Sequence, residues 1–281
     1  MARVRDVLDV LHRAYPESLA EGWDTGIGLT CGDPEDTVTT VLLAVDVDAA
    51  TVDEAIRSGA EMLITHHPLL FRPVQSVAAD RPKGVLLHRM IRSGVAHVAA
   101  HTNADRAPGG VNSALAAALG LTGQRPLRPD DADPAHTGSG RVGQLTRPLT
   151  LRQFTALAAE RLPATVSGVR AAGDPDRLIT TVAVCGGAGD SELAAAAASG
   201  AEVYLTSDLR HHVVADFVAD PANPAIVEVA HWAGEWPWLA NAAVLIEQGT
   251  FGAVTATVSA QRTDPWTLHV PPTWRAAGPT V

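Results

Sequence analysis

The sequence predicts an α/β protein built of two similar α/β lobes with mainly parallel sheets. Three observations predict it. Short apolar runs suited to buried strands alternate with segments of helical hydrophobic spacing, the pattern of parallel strands covered by helices. One segment recurs: Ser58-Gly-Ala-Glu-Met-Leu-Ile-Thr65 returns as Ser199-Gly-Ala-Glu-Val-Tyr-Leu-Thr206, an offset of 199 − 58 = 141. After each copy come one helix, one strand and then a histidine with an acid four residues on, His101-x-x-x-Asp105 and His231-x-x-x-Glu235. We divide the chain into a first lobe, 1–125, a linker, 126–140, and a second lobe, 141–281, because residues 122–140 are rich in Pro, Asp and Gly.

The elements follow in order. Val4, Val7, Leu8 and Leu11 recur at helical spacing, and Pro16 closes that helix. Glu21 to Leu29 reads as a glycine-studded loop. Val38 to Val47 is a buried strand with Asp46 and Asp48 at its end; Thr51 to Ser58 is a helix capped by Gly59. Glu61 to Thr65 is the next strand, Lys83 to Ser93 a helix, Val95 to Ala100 a strand, and Pro108-Gly109-Gly110 opens an Ala-rich helix to Leu119. In the second half, strands are expected at Val142–Leu145, Thr165–Val169, Thr180–Cys185, Glu202–Thr206, Ala225–Ala230 and Ala253–Ser259. Helices are expected at Leu151–Arg161, Ser191–Ser199, His211–Ala219 and from beyond Glu235 to Gln248.

Composition narrows the function. The chain has 281 residues with 46% hydrophobic content, ample for a core, and a formal net charge of −10. That balance makes nucleic acid an unlikely partner, since phosphate backbones need a basic face. Cys31 and Cys185 offer no disulfide framework and no CxxC metal knuckle. The N-terminal helix carries charges through its apolar stripe, unlike a signal peptide, and no uncharged apolar run approaches the roughly 20 residues of a membrane helix. We expect no membrane association and a cytoplasmic location.

Thr65-His66-His67-Pro68 carries the chemistry. Two adjacent histidines end an apolar run, and proline stops regular pairing at once. Neighbouring strand side chains point to opposite faces, so the two imidazoles can flank one locus from two sides. Ligands in open α/β sheets bind at the carboxyl ends of strands. Two lobes packed with those ends facing would gather His66, His67, His101, Asp105, His231 and Glu235. Six such donors exceed the needs of one tetrahedral ion; shared between two they leave open positions, as catalytic sites do. Asp105 and Glu235 have a blander reading as helix N-terminal residues stabilised by the dipole.

At these residues the chain resembles the dinuclear-metal, ring-forming NIF-three-like family, often called GTP cyclohydrolase 1 type 2. The resemblance covers nearly the whole chain. It rests on Glu21-Gly-Trp-Asp-Thr-Gly-Ile-Gly-Leu29, Thr65-His-His-Pro-Leu-Leu-Phe71, His101-Thr-Asn-Ala-Asp105, Thr206-Ser-Asp-Leu-Arg-His-His212 and His231-Trp-Ala-Gly-Glu235. It implies two α/β lobes, a homohexameric toroid and a two-metal site with the same six ligands. Thr25, Ala104 and Ser207 depart from the family's usual residues, and none is an expected ligand.

The function expected is a dinuclear metal-dependent hydrolase with metal-bound hydroxide as nucleophile, acting on a small molecule. GTP ring opening and phosphoester or peptide hydrolysis all suit such a site. The cofactors are two divalent ions (Zn, Fe, Mn or Ni), which imidazole and carboxylate donors do not distinguish. His212, near Asp208, is the candidate general acid; a solvated helix start is its plain alternative. The competing function is a metal-binding scaffold or metal-delivery ring with a regulatory partner. Cys185-Gly-Gly-Ala-Gly-Asp190-Ser191 could cradle a phosphate on backbone N–H groups or form only a tight turn; it lacks a Walker lysine. His12, His88, His97, His136 and His269 read as structural or solvated, and Trp232, Trp236 and Trp238 as cavity wall or packing.

Overall fold

The computed structural model describes residues 1–271. Eleven strands lie in it: β1 (Gly28–Cys31), β2 (Thr40–Ala44), β3 (Met62–Thr65), β4 (Ala96–Ala99), β5 (Thr122–Pro129) and β6 (Gly138–Thr150), then β7 (Arg170–Ala172), β8 (Leu178–Ala188), β9 (Val203–Ser207), β10 (Ala225–Glu228) and β11 (Thr255–Val258). The α-helices are α1 (Val4–Ala14), α2 (Ala49–Ser58), α3 (Pro82–Arg92), α4 (Thr102–Arg106) and α5 (Val111–Ala118), then α6 (Leu151–Arg161), α7 (Leu193–Ala198), α8 (His211–Ala219), α9 (His231–Glu235) and α10 (Trp238–Gly249).

The strands form two sheets. The first runs β1-β4-β3-β2-β11, parallel from β4 to β11 with β1 antiparallel at the edge. The second runs β5-β6-β8-β9-β10-β7, with β8, β9 and β10 parallel and antiparallel strands on both flanks. The result is the expected α/β class, mostly parallel. Helix α5 joins the lobes: Val111 and Ala114 enter the first core, while Leu115, Ala116 and Leu119 enter the second. No described helix is long and apolar enough to cross a membrane.

The recurring segment is a duplicated scaffold. Glu61 Oε2 accepts from the Thr40 backbone N–H at 2.9 Å and from Thr39 at 3.3 Å. Glu202 Oε2 accepts from the Thr180 and Thr181 N–H groups at 2.9 and 2.5 Å, the same positions 141 residues on. Each carboxylate satisfies backbone donors at the start of a buried strand that would otherwise lack partners. The register agrees: Leu63 faces His97, and Tyr204, its counterpart, faces Ile226.

Several sequence expectations are corrected. Residues 126–140 are not a free linker: they hold the end of β5, a turn and the start of β6, an antiparallel pair of the second sheet. Thr165–Val169 holds no strand; the short β7 follows it. The loop from Glu21 ends in the strand β1, which pairs with β4 through Gly28 and Leu29. Strand β11, sequentially in the second half, pairs with β2 in the first sheet. Each His-x3-acid element is carried by a one-turn helix, α4 or α9.

Candidate metal centre

Every expected ligand follows a parallel strand. His66 and His67 leave β3, His101 leaves β4, and His231 comes three residues after β10. Helices α4 and α9 then return Asp105 and Glu235 one turn later, on the same face as the preceding histidine. The echo is shifted by one position. Ala100 N–H bonds Thr65 C=O, and Val229 N–H bonds Thr206 C=O, so these residues correspond. His101 directly follows Ala100, and it caps α4; His231 follows Val229 by two and is the first residue of α9.

The six side chains converge. His66 Nε2 lies 3.4 Å from Glu235 Oε1 and 3.8 Å from Asp105 Oδ1. His67 Nε2 lies 3.3 Å from Glu235 Oε2 and 3.2 Å from His231 Nε2, which is 2.9 Å from Glu235 Oε1. The His101 ring centroid stands 5.1 Å from His66 and 5.6 Å from His67. Ligand atoms of His66, His67 and His101 fall within 4.8 Å of one another, as do those of His67, His231 and Glu235.

Each imidazole is held from behind. Nδ1 of His66 bonds the Ala100 carbonyl (2.9 Å), that of His67 Asp46 (2.7 Å), that of His101 Asp24 (2.9 Å) and that of His231 Asp208 (2.6 Å). With Nδ1–H donating to these acceptors, all four Nε2 lone pairs turn to the centre, the arrangement of metal-binding histidines with outer carboxylate or carbonyl partners. Sequence reasoning did not assign this role to Asp24, Asp46 or Asp208. Their available signal was position: Asp24 lies in a quoted motif, Asp46 just beyond β2, and Asp208 just after β9.

The donor set fits a metal ion. His66 Nε2, Asp105 Oδ1 and Glu235 Oε2 are buried and lack hydrogen-bond partners among the described residues. Donors about 2.1 Å from a shared ion stand roughly 3–3.5 Å apart, close to the separations observed. Burial opposes the Glu235 charge, but His231, His67 and His66 outweigh it and hold its carboxyl well below the usual range. Burial pushes the Asp105 carboxyl up. Burial likewise opposes the charge of His67, but Glu235 and Asp46 carry its imidazole upward; Glu235 is the main cause at His231. Two N–H groups cannot face each other across the 3.2 Å between His67 and His231, so one proton, or one cation, fits there. Asp24 is driven down to about 2: burial resists, but His101 and Thr102 hydrogen bonds prevail.

Packing fixes the rest. Gly187, at φ +69°, approaches so closely that a Cβ would lie 2.6 Å from Glu235 Oε1 and 3.1 Å from His231 Nε2. The glycine-rich stretch therefore backs the centre. Trp238 is fully buried and meets the His66 ring edge-on at 5.7 Å. Trp23 and Phe71 pack on His101. His97 is buried and bonds Thr65 Oγ1 through Nε2 at 2.9 Å. A cavity of about 890 Å³ opens beside His67 and His231, and His269 lines it although its tail position suggested solvent. A smaller one of about 260 Å³ opens beside Asp105. His212 lines neither: it is exposed at the start of α8, its ring against His211, with no hydrogen bond or ring contact to the six residues.

Fold and centre together define a two-lobed α/β protein with a histidine–carboxylate cluster able to hold metal. A sequence model of Duf34/NIF3 (NGG1p interacting factor 3) matches residues 2–265. A Streptomyces coelicolor protein named GTP cyclohydrolase 1 type 2 homolog is 46% identical over 275 residues, covering 96% of this chain and 95% of the relative. A Mycobacterium tuberculosis protein of the same name is 36% identical, covering 95% and 97%. The solved structure of a Bacillus cereus protein related to NIF3 superposes with a TM-score of 0.87 at 25% identity, over 95% of this chain and 99% of that one. The chain belongs to the Duf34/NIF3 family.

Proposed function

We propose that the chain is a metal-dependent hydrolase whose centre holds two divalent ions through His66, His67, His101, Asp105, His231 and Glu235. The observation that carries this reading is the convergence of four Nε2 atoms, each oriented through Nδ1, on half-buried Asp105 and buried Glu235, each with a buried, unpartnered oxygen. Ions such as Zn, Fe, Mn or Ni would supply Lewis acidity there, polarising the scissile group and acidifying water. The chain's own part is orientation. Asp24, Asp46 and Asp208 keep the Nδ1 protons, so the opposite nitrogens remain free bases. Glu235 lies within 3.4 Å of His66, His67 and His231 and, with Asp105, would supply the carboxylate oxygens. The 890 Å³ cavity gives a small substrate access beside His67 and His231. By family resemblance we propose a homohexamer in the cytoplasm, with GTP, phosphoesters and peptides as candidate substrates.

The test combines elemental analysis of purified protein with incubation of metal-loaded protein with GTP, model phosphoesters and dipeptides. We expect two equivalents of metal and turnover of at least one substrate, lost in His66→Ala and Glu235→Ala. Metal without turnover of any substrate would favour the metal-carrier reading; absence of bound metal would defeat both. Light scattering tests the hexamer.

A further inference from the structure

The large cavity is lined by one residue with a buried oxygen that has no hydrogen-bond partner among the described residues. Asp264 lines it and is only 6% exposed, and its Oδ2 is buried without a hydrogen-bond partner. The other carboxylates of that cavity and its arginine are engaged. Asp46 binds His67 and the Thr263 hydroxyl, Asp208 binds His231, and Arg170 is paired with Glu228 at 2.9 Å. Asp264 is held at this wall because its neighbour Thr263 is tied to Asp46, the outer partner of His67. An unpaired buried carboxylate oxygen is costly, and a charged donor relieves that cost most.

The charge of the wall agrees. Four carboxylates (Asp46, Asp208, Glu228, Asp264) face one guanidinium, which Glu228 already neutralises, and three imidazoles, of which His67 and His231 are held by Asp46 and Asp208 and His269 is the third. Burial chiefly pushes the Asp264 carboxyl up, with smaller contributions from Asp46 and Asp208, against Arg262 and a hydrogen bond from the Trp266 backbone. The indole of Trp266, 64% exposed, lines the same cavity and offers a face to a cation.

We infer that this cavity takes the primary ammonium group of a substrate, with Asp264 as its acceptor. The inference rests on the hydrolase reading for the role of that substrate, but not for its binding. It selects amine-bearing molecules, such as peptides with a free amino terminus, over nucleoside triphosphates.

Calorimetry on the full chain, both metal-free and zinc-loaded, tests it with three probes: alanyl-alanine amide, its N-acetyl derivative and GTP. We expect the free amine to bind, the acetylated compound and GTP to bind at least tenfold more weakly, and Asp264→Asn to weaken the amine roughly tenfold to a hundredfold. Equal binding of the free and acetylated compounds, preference for GTP, or no binding of the amine would each overturn the inference. The comparison of the two peptides uses the unaltered protein, so it stands even if the variant does not fold. Amine binding of this kind without turnover of any substrate would sink the hydrolase reading and leave the ammonium site intact.

Discussion

The ends of β3 and β9 are the same place built twice. Glu61 and Glu202 hold the preceding strand through the same backbone donors, and Thr65 and Thr206 each receive a hydrogen bond from the strand that follows. One residue further the copies part. His66 and His67 stand in the first lobe where Ser207 and Asp208 stand in the second. The first lobe thus presents two imidazoles; the second presents an outer carboxylate that orients His231. Scaffold contacts are the same while the chemistry at their tips differs, so the scaffold and the candidate metal donors reside in separate residues.

The comparison can be broken by removing the one group both lobes depend on. Glu235→Ala should reduce metal affinity by more than the roughly 10–100-fold typical of outer-shell losses, as read by metal content after dialysis. In the unaltered protein, affinity should also fall with falling pH, because protons compete for the same nitrogens.

A second difference between the lobes is His97, whose counterpart is Ile226. Burial lowers the His97 ring to about 4 from 6.5. The folded state therefore holds the neutral ring. Its contribution is fully present above pH 6.5 and is lost as pH falls through about 4. The shift corresponds to about 3 kcal/mol at the acid end. Denaturant unfolding at several pH values should show His97→Gln with a shallower acid loss than the unaltered chain. Parallel pH profiles would refute a neutral buried ring.

Asp208→Asn probes the diverged tip directly. It should lower metal affinity by about 10–100-fold without unfolding the chain, measured by competition with a chelator. The smallest effects belong to the duplicated scaffold. Glu61→Ala and Glu202→Ala should each cost about 1–2 kcal/mol of stability and leave metal content unchanged. Markedly unequal costs would show that the two copies bear different loads.

Much of this was legible in the sequence. The helices Leu151–Arg161 and Ser-to-Gly punctuated segments such as 49–58 follow from periodicity and capping, which are local. The six convergent side chains were legible because the histidines follow apolar runs and the two acids recur four residues after a histidine. What escaped notice was non-local. Strand β5 carries mostly polar residues on the sheet edge, and the Pro and Asp of the turn into β6 mask the pair. The pairing of β11 with β2 spans the whole chain and leaves no nearby signal. Asp24, Asp46 and Asp208 act through partners 77, 21 and 23 residues away, separations that no motif spacing encodes.

The return of β11 to the flank of β2 also sets an order of events during synthesis. A ribosome that has released only the first 125 residues has delivered β1 to β4 but not the strand that covers their open side. Until Thr255–Val258 emerges, the edge of β2 stays available to other nascent chains. The first sheet is thus completed only when β11 is made, and chaperone contact with the edge of β2 should persist until then.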